Sequence, residues 1–331
     1  MQAVPGPEMP TCRPGPERHW ATTEFDQRVP RESVHKTADS EVLLTDAVRL
    51  GHERFAVAAC WSRDHYLAHH GAPSADPVLL METARQTAIY LSHRFLDVPY
   101  DHSFVLSGMS VDLYEALPPV AGGLPVSLDV ICSRPAQGAR RLRLELESSV
   151  LVGNRQVGRV GVHWEPIEPR LYARLRRRDD RADRTRQPLT EPSRASLRSV
   201  DVGQVDERDV LIDTDPLRTD SWWLRLDLPH PVLFDHESDH VPGMALVEAF
   251  RQAGRVAAAG RRADVSQVTL LDVAFRAFGE LDTPVAITAA PAGPDGNLFA
   301  LSARQGDLEL ARATVRCGTA QLALPRLETA C

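Results

Sequence analysis

The stretch HVPGMALVEAFRQAG, His240–Gly254, places a glutamate, an arginine and a glutamine inside an apolar helical pattern. Glu248, Arg251 and Gln252 are three and four positions apart, so a helix gathers them on one face. Pro242 and Gly243 mark the start of a helix running to about Gly260. The stretch DPVLLMETARQTA, Asp76–Ala88, repeats the trio as Glu82, Arg85 and Gln86. There Asp76 caps and Pro77 opens a helix to about Leu96. Members of each pair lie 166 positions apart, and so do His70 and His236. A Glu–Arg pair at this spacing is ordinarily a solvated surface pair of small energy. Its recurrence in two apolar helices half a chain apart points to a duplicated domain.

The flanking sequence repeats with the helices. Strand patterns at 41–51 and 53–61 precede the first helix, and strands at about 104–113, 125–132, 141–152 and 156–164 follow it. In the second half the corresponding runs are 209–212, 222–228, 266–275, 284–290, 298–303 and 308–315. Two short strands, one long helix and a four-stranded meander, written twice, describe an α+β chain. Each antiparallel sheet is expected to wrap one helix. The expected divisions are a disordered Pro-rich tail to 32, repeats at 33–168 and 199–320, an Arg-rich linker at 169–198, and a tail at 321–331.

Composition narrows the function. The chain has 331 residues, 43% hydrophobic and 25% charged, which suits a folded protein with two cores. A net charge of −7 argues against nucleic acid as the partner. No apolar run reaches the roughly 20 residues of a membrane span, and no leader peptide is legible. Five scattered cysteines without CxxC spacing suit a reducing cytoplasm. No His/Glu spacing makes a metal site and no Gly-rich loop cradles a dinucleotide, so neither metal nor cofactor is expected. The basic residues are arginines except Lys36, the single lysine.

The segment FDHESDHVPGMALVEA resembles the active-site helix of hotdog-fold β-hydroxyacyl-ACP dehydratases. It has a histidine before a Pro-Gly helix start and an acid within the helix, but a shorter loop lacking the repeated prolines. A broader resemblance, from Ser33 to Cys317, is to the A-factor biosynthesis (AfsA) family. It rests on VHKTADSEVLLTD, DPVLLMETARQ, YARLR and DHESDHVPGMALVEAFRQ. The resemblance implies a double hotdog packed as a pseudo-dimer within one chain, either monomeric or a homodimer. It also implies synthesis of γ-butyrolactone, furan or butenolide signals that control antibiotic production. A β-ketoacyl chain on an acyl carrier protein is joined to the hydroxyl of dihydroxyacetone phosphate, and the ester cyclises to a phosphorylated butenolide. The alternatives are an acyl-ACP dehydratase or thioesterase of the same fold, or a non-catalytic acyl-binding regulator.

Such an acyl transfer needs a base, an oxyanion site and a grip on phosphate. The N–H groups of a helix start can hold the oxyanion. Gly243 leaves them open, whereas Pro77 in the first repeat offers no N–H. Glu82 and Glu248 are candidate bases, and His236 joins them as the catalytic histidine of the resemblance. Arg251 and Arg85 are candidate phosphate anchors, with Gln86, Gln252, and Lys36 and His35 of the VHK stretch beside them. Because paired hotdogs set their helices side by side, Glu82 and Arg251, with His236, are expected to share one composite site. Arg85 and Glu248 are the expected counterpart.

Overall fold

Two buried helices organise the structure, a computed structural model that describes residues 23–25, 27–134, 142–183, 193–260 and 267–318. The first half runs β1 (Leu44–Arg49), β2 (Arg54–Trp61), α1 (Pro77–Phe95), β3 (Ser103–Leu113), β4 (Leu124–Ser133), β5 (Leu144–Val152) and β6 (Arg155–Ile167). A helix α2 (Pro169–Asp183), a short β7 (Ala195–Ser196) and one turn of helix, α3 (Ser199–Val202), lead into the second half. That half runs β8 (Ile212–Asp215), β9 (Arg218–Leu224), α4 (Gly243–Ala259), β10 (Val268–Phe275), β11 (Ala286–Pro291), β12 (Leu298–Gln305) and β13 (Leu308–Cys317).

The strands form one antiparallel sheet in the order β1-β2-β4-β5-β6-β3-β10-β13-β12-β11-β9-β8-β7. Read outward from the centre, both halves use the same order. They are joined by β3 against β10, with Gly108 opposite Ala274 and Val111 opposite Leu271. Helix α1 lies on β3 and β6, α4 lies on β10 and β13, and the helices touch each other. This is the expected double hotdog. No described helix is long and apolar enough to cross a membrane.

Burial explains the helix sequences. Most of α1 is buried, including Glu82, Thr83, Gln86, Thr87 and Ser92. An interior helix must satisfy its polar groups internally. Thr83, Thr87 and Ser92 donate to carbonyls four residues back, and the Trp61 and Trp164 indoles donate to Thr83 and Ser92. In α4 a Cβ at Gly254 would lie 2.7 Å from Val315 Cγ1, so only glycine permits that helix-to-sheet approach.

Gln86 and Gln252, expected at the substrate, instead tie each helix to its edge strand. Gln86 accepts from Leu43 N at 2.8 Å and donates to Glu41 O at 2.8 Å. Gln252 does the same with Leu211 N at 2.8 Å and Asp209 O at 2.7 Å. Each amide also donates to its own helix glutamate. Both side chains are fully buried with their polar atoms engaged by protein, so no group is left for a ligand. Gln86→Leu should lower stability by about 2 kcal/mol, since it strands a buried N–H and C=O; denaturant melts check this, and an unchanged midpoint refutes it.

Three boundaries differ from expectation. From Thr23 the tail lies along β1: Val29 N donates to Leu44 O at 3.0 Å and Thr45 Oγ1 to Glu24 O at 2.8 Å. The rest of that tail and the C-terminal tail lie outside the described residues. The linker, expected to be solvated and ordered only at its start, begins as a docked helix that runs to Asp183. Arg176 of α2 is buried against Asp239 and Glu280, and the Tyr172 hydroxyl donates to Asp239 Oδ1 at 2.8 Å. The β8–β9 hairpin is also tighter than expected, since β9 spans Arg218–Leu224 rather than 222–228 and the turn closes where Asp215 Oδ1 accepts from Leu217 N at 2.9 Å.

Candidate active site

Between the repeats lies a cleft of about 990 Å³. One wall comes from the start of the first repeat and the polar face of α1, with His35, Lys36, Tyr66, Glu82 and Arg85. The opposite wall comes from the second repeat, where the loop carrying Asp235 and His236 runs into Gly243 and Met244 of α4. Phe104, Leu106, Val232, Leu233, Leu246, Phe275 and Phe278 provide apolar surface, and Tyr172 and Leu175 of α2 also line the cleft.

Glu82 is fully buried beside this cleft. Its two oxygens accept from Arg85 Nε and Nη2, both at 2.8 Å, and from Gln86 Nε2 at 2.9 Å. Lys36 Nζ stands 3.2 Å from Oε1. Burial alone would push this carboxyl up, but Arg85 and Lys36 more than offset it and hold the group well below the usual carboxylate range. A carboxylate so thoroughly engaged is a poor proton acceptor at neutral pH. Glu82 therefore differs from the expected base: it holds two cations in place. Arg85 uses Nε and Nη2 on Glu82, while Nη1 makes no hydrogen bond among the described residues. Two positive groups on one carboxylate leave the Lys36–Glu82–Arg85 trio with one surplus positive charge, which faces the Asp235 carboxylate of the opposite loop.

The facing loop is attached to this cluster. Asp235 accepts from Thr37 N at 2.8 Å and Ala38 N at 3.1 Å, and its backbone carbonyl accepts from the Thr37 hydroxyl. These bonds clamp His236 opposite Lys36. Asp235 Oδ2 is 3.8 Å from His236 Nδ1, too far for a hydrogen bond. The His236 side chain is 55% exposed, and desolvation, then Arg85 and Lys36, lower its pKa from the ordinary histidine value, which favours the neutral ring that can accept a proton. His35, in the left-handed region at φ 54°, places Nε2 2.9 Å from His93 Nε2. Burial, then His93 and Arg85, push its pKa down to about 4. Behind it His93 Nδ1 donates to Val98 O at 2.8 Å. Helix α4 begins at Gly243 with Pro242 as cap. The Gly243 and Met244 N–H groups precede the first intrahelical bonds and carry the positive end of the helix dipole.

The other glutamate and arginine form a second, different cluster. Glu248 accepts from Arg251 Nε at 2.9 Å and Nη2 at 2.7 Å, from Gln252 at 2.8 Å, and from Gln204 Nε2 at 2.7 Å. Arg251 Nε also approaches Asp76 Oδ2 at 3.5 Å, and His65 Nε2 sits 2.6 Å from that oxygen. Only about 140 Å³ of space remains there. Gln204 stands where the first repeat has Lys36, Gly203 where it has His35, and Pro77 where the second has Gly243. Arg251 therefore does not share a site with Glu82, contrary to expectation, because each arginine closes a two-pronged pair with the glutamate of its own helix. His65, Asp76 and Glu248 do converge, yet the Arg251 guanidinium among them disfavours a cation.

Comparison with known proteins agrees with the duplication. A family model described as the A-factor biosynthesis hotdog domain matches residues 20–168 and again 185–321. A 2-oxo-3-(phosphooxy)propyl 3-oxoalkanoate synthase of Streptomyces virginiae is 36% identical over 270 residues, covering 80% of this chain and 87% of its own. One of the same name from Streptomyces griseus is 32% identical over 243 residues, 70% of this chain and 76% of its own. Among solved structures, a 12:0-ACP thioesterase from Umbellularia californica aligns over 82% of this chain and 100% of its own, at 11% identity and a TM-score of 0.48. With both repeats matched, nearly the whole chain is accounted for: it belongs to the A-factor biosynthesis hotdog family.

Proposed function

We propose that the large cleft is where dihydroxyacetone phosphate binds and is acylated, its phosphate on Lys36 and Arg85. The reaction is that of the relatives: a 3-oxoacyl thioester and dihydroxyacetone phosphate give a 2-oxo-3-(phosphooxy)propyl 3-oxoalkanoate. One observation carries the site assignment. A single cleft holds a buried trio with one surplus positive charge, a histidine biased to its neutral form and an open helix start. The second cluster lacks the lysine, the glycine and the space.

His236 takes the proton from the substrate hydroxyl as its oxygen attacks the thioester carbonyl. The resulting oxyanion is stabilised by the Gly243 and Met244 N–H groups. As the C–S bond breaks, the leaving thiolate recovers the proton from His236. The acyl chain rests on the apolar wall and reaches the cleft on an acyl carrier protein. One chain supplies both walls, so a second copy is not required. The ester then condenses intramolecularly to a phosphorylated butenolide. A dehydratase or thioesterase would have no use for two cations beside its acid.

Mass spectrometry after incubation with a 3-oxoacyl thioester and dihydroxyacetone phosphate should find the phosphorylated ester or its butenolide. Free acid or a dehydrated thioester alone would refute the reading.

A further inference from the structure

Tyr66 is absent from the chemistry derived so far. It is 2% exposed and lines the large cleft. It stands close enough to Glu82 and Arg85 for both to bear on its ionisation, and burial pushes its phenol well above the ordinary value, so it stays protonated. The Tyr66 hydroxyl makes no hydrogen bond to any described residue, and it is not sealed into the protein interior. Buried tyrosines ordinarily find a partner for this group, because an unpaired one is costly. At the 166-residue offset of the helices the chain carries Val232, an apolar residue of the same cleft. Valine serves where only apolar surface is needed, whereas the first repeat places a hydrogen-bond donor beside the Lys36–Glu82–Arg85 cluster.

We infer that the Tyr66 hydroxyl is a third ligand of the phosphate site, donating to a phosphate oxygen that Lys36 and Arg85 hold by charge. This rests on the site assignment above and adds a specificity determinant to it. A protonated phenol selects an acceptor, so a phosphate oxygen, with lone pairs and negative charge, fits it better than a neutral hydroxymethyl group. The residue would therefore help distinguish dihydroxyacetone phosphate from unphosphorylated dihydroxyacetone.

The test is Tyr66→Phe, which removes one oxygen and keeps the ring. The Michaelis constant for dihydroxyacetone phosphate should rise about ten-fold or more, the usual effect of losing a hydrogen bond to a charged group. The constant for the acyl thioester should stay the same, and the preference over unphosphorylated dihydroxyacetone should fall by a similar factor. Titration with inorganic phosphate, followed by calorimetry, should show the same weakening and needs no turnover. A melting temperature that stays level or rises would accompany these changes, since no protein hydrogen bond is lost. Unchanged phosphate affinity in Tyr66→Phe would overturn the inference, as would equal losses with both alcohols. If the wild type binds phosphate through Tyr66 but makes no ester, the acyl-transfer reading falls and this one stands.

Discussion

His236→Gln should lower kcat by about 10²–10⁴-fold, the typical contribution of a general base, while the Michaelis constant for dihydroxyacetone phosphate moves little. Glutamine keeps a polar side chain of similar reach but cannot accept a proton. The pH dependence gives a second readout. The ring works when neutral, so kcat/KM should fall as pH drops through its pKa. Partial burial and then the cations Arg85 and Lys36 lower that pKa, so the acid limb should lie below the ordinary histidine value of about 6.5. In His236→Gln the limb should vanish from whatever turnover remains. Retention of wild-type kcat in a folded variant would remove His236 from the chemistry and return the base to Glu82 or solvent.

The sequence made the repeat and its helices legible because those signals are local. Asp76 and Pro77 start α1 where cap and proline chemistry place it, and the apolar spacing carries the helix to Phe95. Assigning Arg251 to Glu82 failed for an equally local reason. At a spacing of three residues a guanidinium reaches its own helix glutamate through two nitrogens, and the carboxylate that Arg251 meets across the interface is Asp76, not Glu82. Outside the β3–β10 ladder, polar contacts that cross between repeats, among them Thr37 to Asp235 and Asp76 to Arg251, start from loops or a helix cap and have no period. Gln204 also escaped notice. It follows Lys36 by 168 positions, because the edge segments are offset by two residues relative to the helices, and a search at 166 passes over it. The charge of α2 masked its anchor, although Tyr172, Leu175 and Arg176 share the spacing of one helix face. Tyr66 offered no signal beyond the valine, Val232, at the 166-residue offset.

Glu82→Gln and Glu248→Gln, matched in sequence context, should have unequal effects. Removing the Glu82 charge strands Lys36 and Arg85, whose side chains are 3% and 15% exposed. Breaking a buried pair from one side typically costs about 3–5 kcal/mol. Removing the Glu248 charge leaves Arg251 with Asp76 still 3.5 Å away, so the loss of stability should be smaller. The pH dependence carries a sign. Because the folded-state pKa of Glu82 is depressed, its contribution is complete above the unfolded carboxylate pKa, near 4.3, and is lost as pH falls toward the folded value. Glu82→Gln should therefore flatten the acid side of the stability profile. Turnover should separate the two variants further. Without Glu82 the two cations lose the anchor that sets their spacing, and activity should drop at least about 100-fold by misplacing the phosphate. Glu248→Gln, assayed below its melting temperature, should stay within a few-fold of wild type. Phosphate should also raise the melting temperature of Glu82→Gln more than that of the wild type, since a bound anion replaces the missing charge. The opposite pattern, with Glu248→Gln inactive and Glu82→Gln near normal, would move the working site to the small cluster beside His65 and Asp76.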